Sequence, residues 1–326
     1  MDKLDKDTFF RFKFIKNLIN KYPIINFDLT EINNIKNNYI EYKPSFKKEI
    51  GNPQLESNTF IEKDILNKIL KFNNYILISE EYFTLKIYYD NISDLLINRI
   101  YSIIKLFQKL YGNKNINSIN IILLEQKREI TTKIIGASNV NGGYIIGSND
   151  KSDIFVFRKE EVIKVLIHEL CHFYKLDCQK IDRYQNNIFK KINIKTPDYL
   201  SLNEVFTEYI AILHHTAIIS FYINISPLLI YHYEKIWSLY QVAKILKHYN
   251  FNKFEDLYTK ELIQETNVFS YYILKFFILY KRNNKCSYKN LQDILNDKEI
   301  INIINENINN NKYDKNLRLT LFELKD

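Results

Sequence analysis

The sequence predicts an α+β fold. Strand-like stretches are confined to residues 75–158, helical periodicity precedes and follows them, and a strand at 153–158 runs directly into a helix at 159–173. Residues 153–158, Asp-Ile-Phe-Val-Phe-Arg, alternate and are rich in β-formers. In residues 159–173, Val162, Leu166, Leu170 and Phe173 form an apolar stripe behind an acidic first turn, the charge a helix N-terminus favours.

The remaining elements follow in order. Residues 7–19 and 29–40 read as helices of an N-terminal extension covering 1–58, which ends in a loop over 42–57 containing Pro44, Gly51 and Pro53. A core over 59–215 begins with a helix at 60–72 and a β-hairpin of 75–79 and 82–89 around Glu80 and Glu81. A strongly apolar-periodic helix at 92–111 stops at Gly112, and strands are expected at 118–125 and 132–135. The last third, 216–326, reads as a helical lobe with helices at 228–248, 269–280, 288–295 and 300–308. Residues 211–230 are the most hydrophobic stretch, but His214, His215, Asn224 and Pro227 make them two buried helices joined near Ser226, not a membrane span. Residues 268–280 are too short to span and carry Lys275. A tract of mostly Asn and Ile at 302–311 is of low complexity.

Chemistry concentrates in His168-Glu169-Leu170-Cys171-His172, an HExxH pattern. Four residues are just over one helical turn, so both imidazoles leave one face and can hold one metal ion. Glu169 flanks that face, where a carboxylate can take a proton from an activated water. Catalytic zinc normally keeps three protein ligands, and Glu204, on a second helix 32 positions after His172, is the best candidate for the third. Glu208, one turn further, would orient a ligating imidazole. Ser201-x-x-Glu204 also spells a capping box, in which Glu204 would only cap its own helix.

His168-Glu169-x-x-His172 followed by Asn203-Glu204-x-x-x-Glu208 resembles the gluzincin signature of thermolysin-like metallopeptidases and anthrax-type lethal factors. The resemblance covers roughly residues 75–215. It implies a zincin-like catalytic domain with a small mixed sheet, an active-site helix and a mostly helical C-terminal lobe. It also implies one Zn²⁺ held by His168, His172 and Glu204, with Glu208 supporting a histidine. The chain is broadly similar, too, to metallopeptidase-like proteins of large DNA viruses. In the resembling fold an edge strand pairs with the extended substrate, and Gly142, Gly143 and Tyr144 stand at that place; Asn141-Gly142 also suits an ordinary hairpin turn. The group usually stabilises its oxyanion with Tyr or His, for which Tyr199 and His232 are candidates. His214 and His215 read as structural.

Composition narrows the partners. Hydrophobic residues make up 46% and aromatics 15% of 326 residues, enough for a sizeable core and too much for a disordered chain. The formal charge of +8 is spread over dispersed lysines with no basic–aromatic module, so a nucleic-acid partner is not expected. Residues 1–7 are too charged for a secretion signal, and three cysteines (Cys171, Cys178, Cys286) provide no disulfide framework. The expected setting is therefore the cytoplasm or another reducing intracellular compartment, virus-encoded in a host cell if the viral likeness holds. A Cys/His structural zinc site built on Cys171 and Cys178 is the rival metal reading. The expected function is zinc-dependent hydrolysis of peptide or protein substrates, with Glu169 as general base. Two alternatives stay open: a catalytically silent binding protein on the same fold, and a basic adaptor with structural zinc.

Overall fold

The computed structural model describes residues 3–55, 58–147, 151–197, 201–282, 286–309 and 313–326. The class is α+β, built on a six-stranded mixed sheet. Helices α1 (Lys6–Lys21) and α2 (Thr30–Asn38) come first, then strand β1 (Lys47–Ile50), helix α3 (Lys63–Ile69) and the antiparallel hairpin β2 (Asn74–Ser79) and β3 (Phe83–Tyr88). Helix α4 (Asp94–Tyr111) crosses over to β4 (Ile116–Ile122), parallel to β3. A short helix α5 (Ala137–Val140) leads into β5 (Gly143–Ile146), which turns back against β6 (Asp153–Val156). The sheet order is β1-β2-β3-β4-β6-β5, so among the described residues β5 is an edge strand, antiparallel to its one neighbour β6.

Strand alternation divides the core. Ile154 and Val156 of β6 join the main core with Ile119 and Ile121 of β4, while Phe155 and Phe157 face a smaller cluster with Ile65 and Ile69 of α3. Behind the main face lies helix α6 (Val162–Phe173), packed against α4 and the long, almost wholly buried helix α8 (Glu204–Ile223). Between them come α7 (Gln185–Lys191) and strand β7 (Ile194–Lys195). Helix α9 (Pro227–His248) follows, with Pro227 at its first turn, where its missing N–H costs nothing. Strand β8 (Leu262–Ile263) pairs with β7. A π-helical turn at Phe269–Leu274 then passes into α10 (Lys275–Lys281), before α11 (Tyr288–Leu295) and α12 (Lys298–Ile308). No helix among the described residues is long and apolar enough to cross a membrane.

Several expectations need correcting. The loop expected at 42–57 contains β1, whose Lys47-Lys48-Glu49-Ile50 has no β-former pattern and joins the sheet through backbone pairing with β2. Residues 132–135 form no strand; the chain there is irregular. The main core cluster draws its residues from Leu4 to Leu324. The expectation that the cysteines provide no disulfide framework is corrected in part. Cys178 and Cys286 form a disulfide with Cα atoms 5.8 Å apart, and only Cys171 is free and buried. The two are 108 residues apart, a separation that folding alone closes. The reducing compartment loses the support that the cysteine count gave it.

Candidate metal centre

Helix α6 begins after Glu161, which adopts a left-handed conformation (φ 60°) and stops the preceding chain from joining the helix. From there Lys164, His168 and His172 follow at four-residue intervals and share a face. The apolar residues Leu166, Ile167, Leu170 and Cys171 are wholly buried and anchor the other faces. The histidine face looks towards the first turn of α8, which delivers Glu204.

His168, His172 and Glu204 are the one His/Cys/Asp/Glu group among the described residues whose ligand atoms converge closely enough to hold a metal ion. The two Nε2 atoms are 3.2 Å apart, and Glu204 Oε2 is 3.1 Å from that of His168 and 3.3 Å from that of His172. Ligands bonded at about 2.0–2.1 Å to a tetrahedral ion stand about 3.3–3.4 Å from one another. The triangle therefore has close to the dimensions of one tetrahedral face. The capping alternative for Glu204 fails, because Ser201 makes no bond into α8; its hydroxyl donates to Asp182 Oδ2 at 2.7 Å.

Each imidazole presents Nδ1 to its own carboxylate. His168 Nδ1 stands 2.8 Å from Glu208 Oε1, as the sequence spacing suggested. His172 Nδ1 stands 2.8 Å from Asp177 Oδ2, a partner that sequence reasoning missed. Asn203 ties this second arm together. Its amide donates to Asp177 Oδ2 at 2.8 Å, and its carbonyl oxygen accepts the Cys178 N–H at 2.6 Å. Glu208 in turn accepts a hydrogen bond from Lys164 and has Lys275 Nζ 3.8 Å from its other oxygen.

The electrostatics follow from burial and crowding. Burial alone would lower the His168 pKa, but Glu204 and Glu208 outweigh it and leave the imidazole raised. His172 is driven well up, as Glu204 and Asp177 overcome its burial. Burial would raise Glu204 and Glu208, yet their cationic neighbours hold both far below the usual carboxylate range. Glu169 goes the other way. Its burial exceeds the pull of the two histidines, so its proton affinity is raised.

These groups open onto a cavity of about 210 Å³. Gly143 of β5 lies against the Glu169 carboxylate, so close that a Cβ there would stand 2.7 Å from Oε1 and 2.8 Å from the Phe155 carbonyl oxygen. Gly142, Gly143 and Tyr144 all line the cavity, on or beside the sheet edge. Of the two expected oxyanion donors, Tyr199 lies outside the described residues. His232 is buried in α9 and does not line the cavity, so that expectation is corrected. Tyr271, from the π-helical turn, does line it. Its ring meets His168 edge-on at 5.9 Å, and burial beside Glu204, Glu208 and Glu169 drives its hydroxyl pKa well up. No local pattern distinguished it among 25 tyrosines. His214 is structural, stacked on Phe107 with its Nε2 2.8 Å from the Tyr111 hydroxyl.

No protein-family model, curated protein or solved structure matches the chain.

Proposed function

We propose that the chain is a zinc metallopeptidase with a zincin-like catalytic core, and the observation that carries this reading is the tetrahedral-face spacing of His168, His172 and Glu204 beside the buried Glu169. Two imidazoles and one carboxylate with an open side are a donor set suited to catalytic zinc. Zinc held there would supply a Lewis acid that polarises both water and a scissile carbonyl.

The chain's own residues supply the rest. Glu169, with its raised proton affinity, accepts the proton of the attacking water and delivers it to the leaving amine. The Tyr271 hydroxyl, held protonated, donates to the oxygen on which charge develops. The free edge of β5 offers main-chain hydrogen bonds to an extended peptide, and Gly143 allows that backbone to come close to Glu169. Asp177 accepts the His172 Nδ1 proton and Glu208 Oε1 stands 2.8 Å from His168 Nδ1, so that both Nε2 atoms face the metal position.

The test is metal analysis with a peptide-library digest of the wild type and Glu169→Gln. Both proteins should carry about one zinc per chain, and the variant should lose roughly 10²–10⁴-fold in turnover. Full turnover in Glu169→Gln would remove this mechanism, and zinc binding without hydrolysis by the wild type would leave a binding role.

A further inference from the structure

One cationic group in the cavity wall has no part in the chemistry above. Arg128 is 1% exposed, and its guanidinium is only partly committed. Nε donates to the Val140 carbonyl oxygen at 2.6 Å, and Nη1 donates to Glu161 Oε2 at 2.5 Å. Nη2 makes no hydrogen bond among the described residues, and it is not a sealed atom of the interior. It reaches the cavity beside Gly142, in space that any Cβ at that position would occupy. The neighbouring residue, Gly143, abuts the Glu169 carboxylate, and Val165 touches the side-chain positions of both glycines. Arg128 and the general base therefore flank successive residues of the substrate-facing edge.

We propose, building on the peptidase reading, that Arg128 makes this cavity selective for a carboxylate on the residue next to the scissile bond. The partner of Arg128 inside the protein is already saturated. Glu161 also accepts the backbone N–H groups of Leu319 at 3.2 Å and Thr320 at 2.7 Å, as well as the Thr320 hydroxyl. The nearby Glu208 is offset by Lys164 and Lys275. The remaining Nη2 donors thus face the cavity with no hydrogen-bond partner among the described residues, the Glu169 and Glu204 carboxylates of the same cavity lying towards the histidines. Val140, Val165 and Leu319 give that part of the wall an apolar lining, which strengthens a charge-assisted bond by keeping water away. A neutral amide would offer one acceptor there; a carboxylate also brings the balancing charge. The carboxylate has two chemical sources, an Asp or Glu side chain within a peptide or the free α-carboxylate at a peptide's end.

The test uses the zinc-loaded wild-type protein and matched peptides. One pair differs only by Glu against Gln beside the cleaved bond, on either side of it, and another by a free C-terminal acid against its amide. A charge-assisted bond in such a site should favour the acid by about ten- to a hundredfold in kcat/KM. Preference within the Glu/Gln pair identifies a side-chain carboxylate, and preference within the acid/amide pair identifies a chain end. In Arg128→Met the favoured ratio should collapse towards one, and because the wild-type comparison needs no variant, a failure of Arg128→Met to fold leaves the wild-type ratio decisive. Cleavage with both wild-type ratios near one overturns the proposal while the peptidase reading stands. The same pairs are titrated calorimetrically into zinc-loaded Glu169→Gln. Tighter binding of the acid with no wild-type cleavage of any peptide supports the carboxylate site and sinks the peptidase reading instead.

Discussion

Asp177 and Glu208 do for the two histidines what neither histidine can do alone, which is to fix the ring orientation and the tautomer. Removing either should be felt in metal affinity before it is felt in the fold. Asp177→Asn and Glu208→Gln are each expected to weaken zinc binding by about 10–100-fold in competition with a chelator, and an unchanged affinity would count against this role. Glu208 was legible in the sequence because α-helical spacing converts Glu204 and Glu208 into neighbours on one face. Asp177 lies only five residues after His172, yet it sits beyond the end of α6, where helical periodicity no longer says which way a side chain points. Tyr271 and Arg128 were illegible for a stronger reason. Each reaches the cavity only through tertiary packing, and neither carries a spacing pattern that marks it.

At the scale of elements, the edge strand makes the sharpest demand. β5 runs close against α6, and only a residue without a side chain fits at position 143; under the proposed function this closeness lets a substrate on the strand edge meet Glu169. Gly143→Ala should push the strand and the carboxylate apart, because the Phe155 backbone on the other side cannot yield without disturbing β6. We expect a loss of about 1–3 kcal/mol in stability, with zinc retained and KM for peptides raised; unchanged kinetics would separate β5 from the substrate path. The strand-to-helix unit around the motif was readable from alternation followed by a 3.6-residue period. β1 was not, because Lys47, Lys48 and Glu49 are mostly solvent-facing and its place depends on the free edge of β2. The β-formers at 132–135 misled for the converse reason: propensity without a pairing partner makes no strand.

Across the whole molecule, residues 317–324 form an irregular, buried strap threaded between the helices. Tyr272, Lys275, Trp237 and Gln241 donate to its carbonyl groups, Glu161 and Glu234 accept its N–H groups, and Leu324 pairs with Leu4. Nothing in the tail's own sequence announces this, since an irregular segment buried by helices has no periodicity of its own. Glu234 makes the strap sensitive to pH. Burial raises its pKa to about 7, against the pull of the Leu321 and Phe322 N–H groups. The folded state thus holds this proton more tightly than the unfolded chain does. Its stabilisation is full below the unfolded value near 4.5 and is lost as pH climbs through about 7. The implied loss is ~3 kcal/mol; burial also raises Glu323, in the same segment, to about 7, so Glu234→Gln should reduce the fall in stability between pH 5 and pH 8 in urea unfolding without abolishing it. A wild-type profile with no such slope would show that Glu234 keeps an ordinary affinity for protons.

The strap also orders events in time. Leu319 forms part of the cavity wall and Glu161, at the head of α6, is held by the backbone around it. A chain still being translated at residue 300 already has His168, His172 and Glu204 but lacks that wall. The cavity is therefore completed only when the last segment to be synthesised docks among the helices.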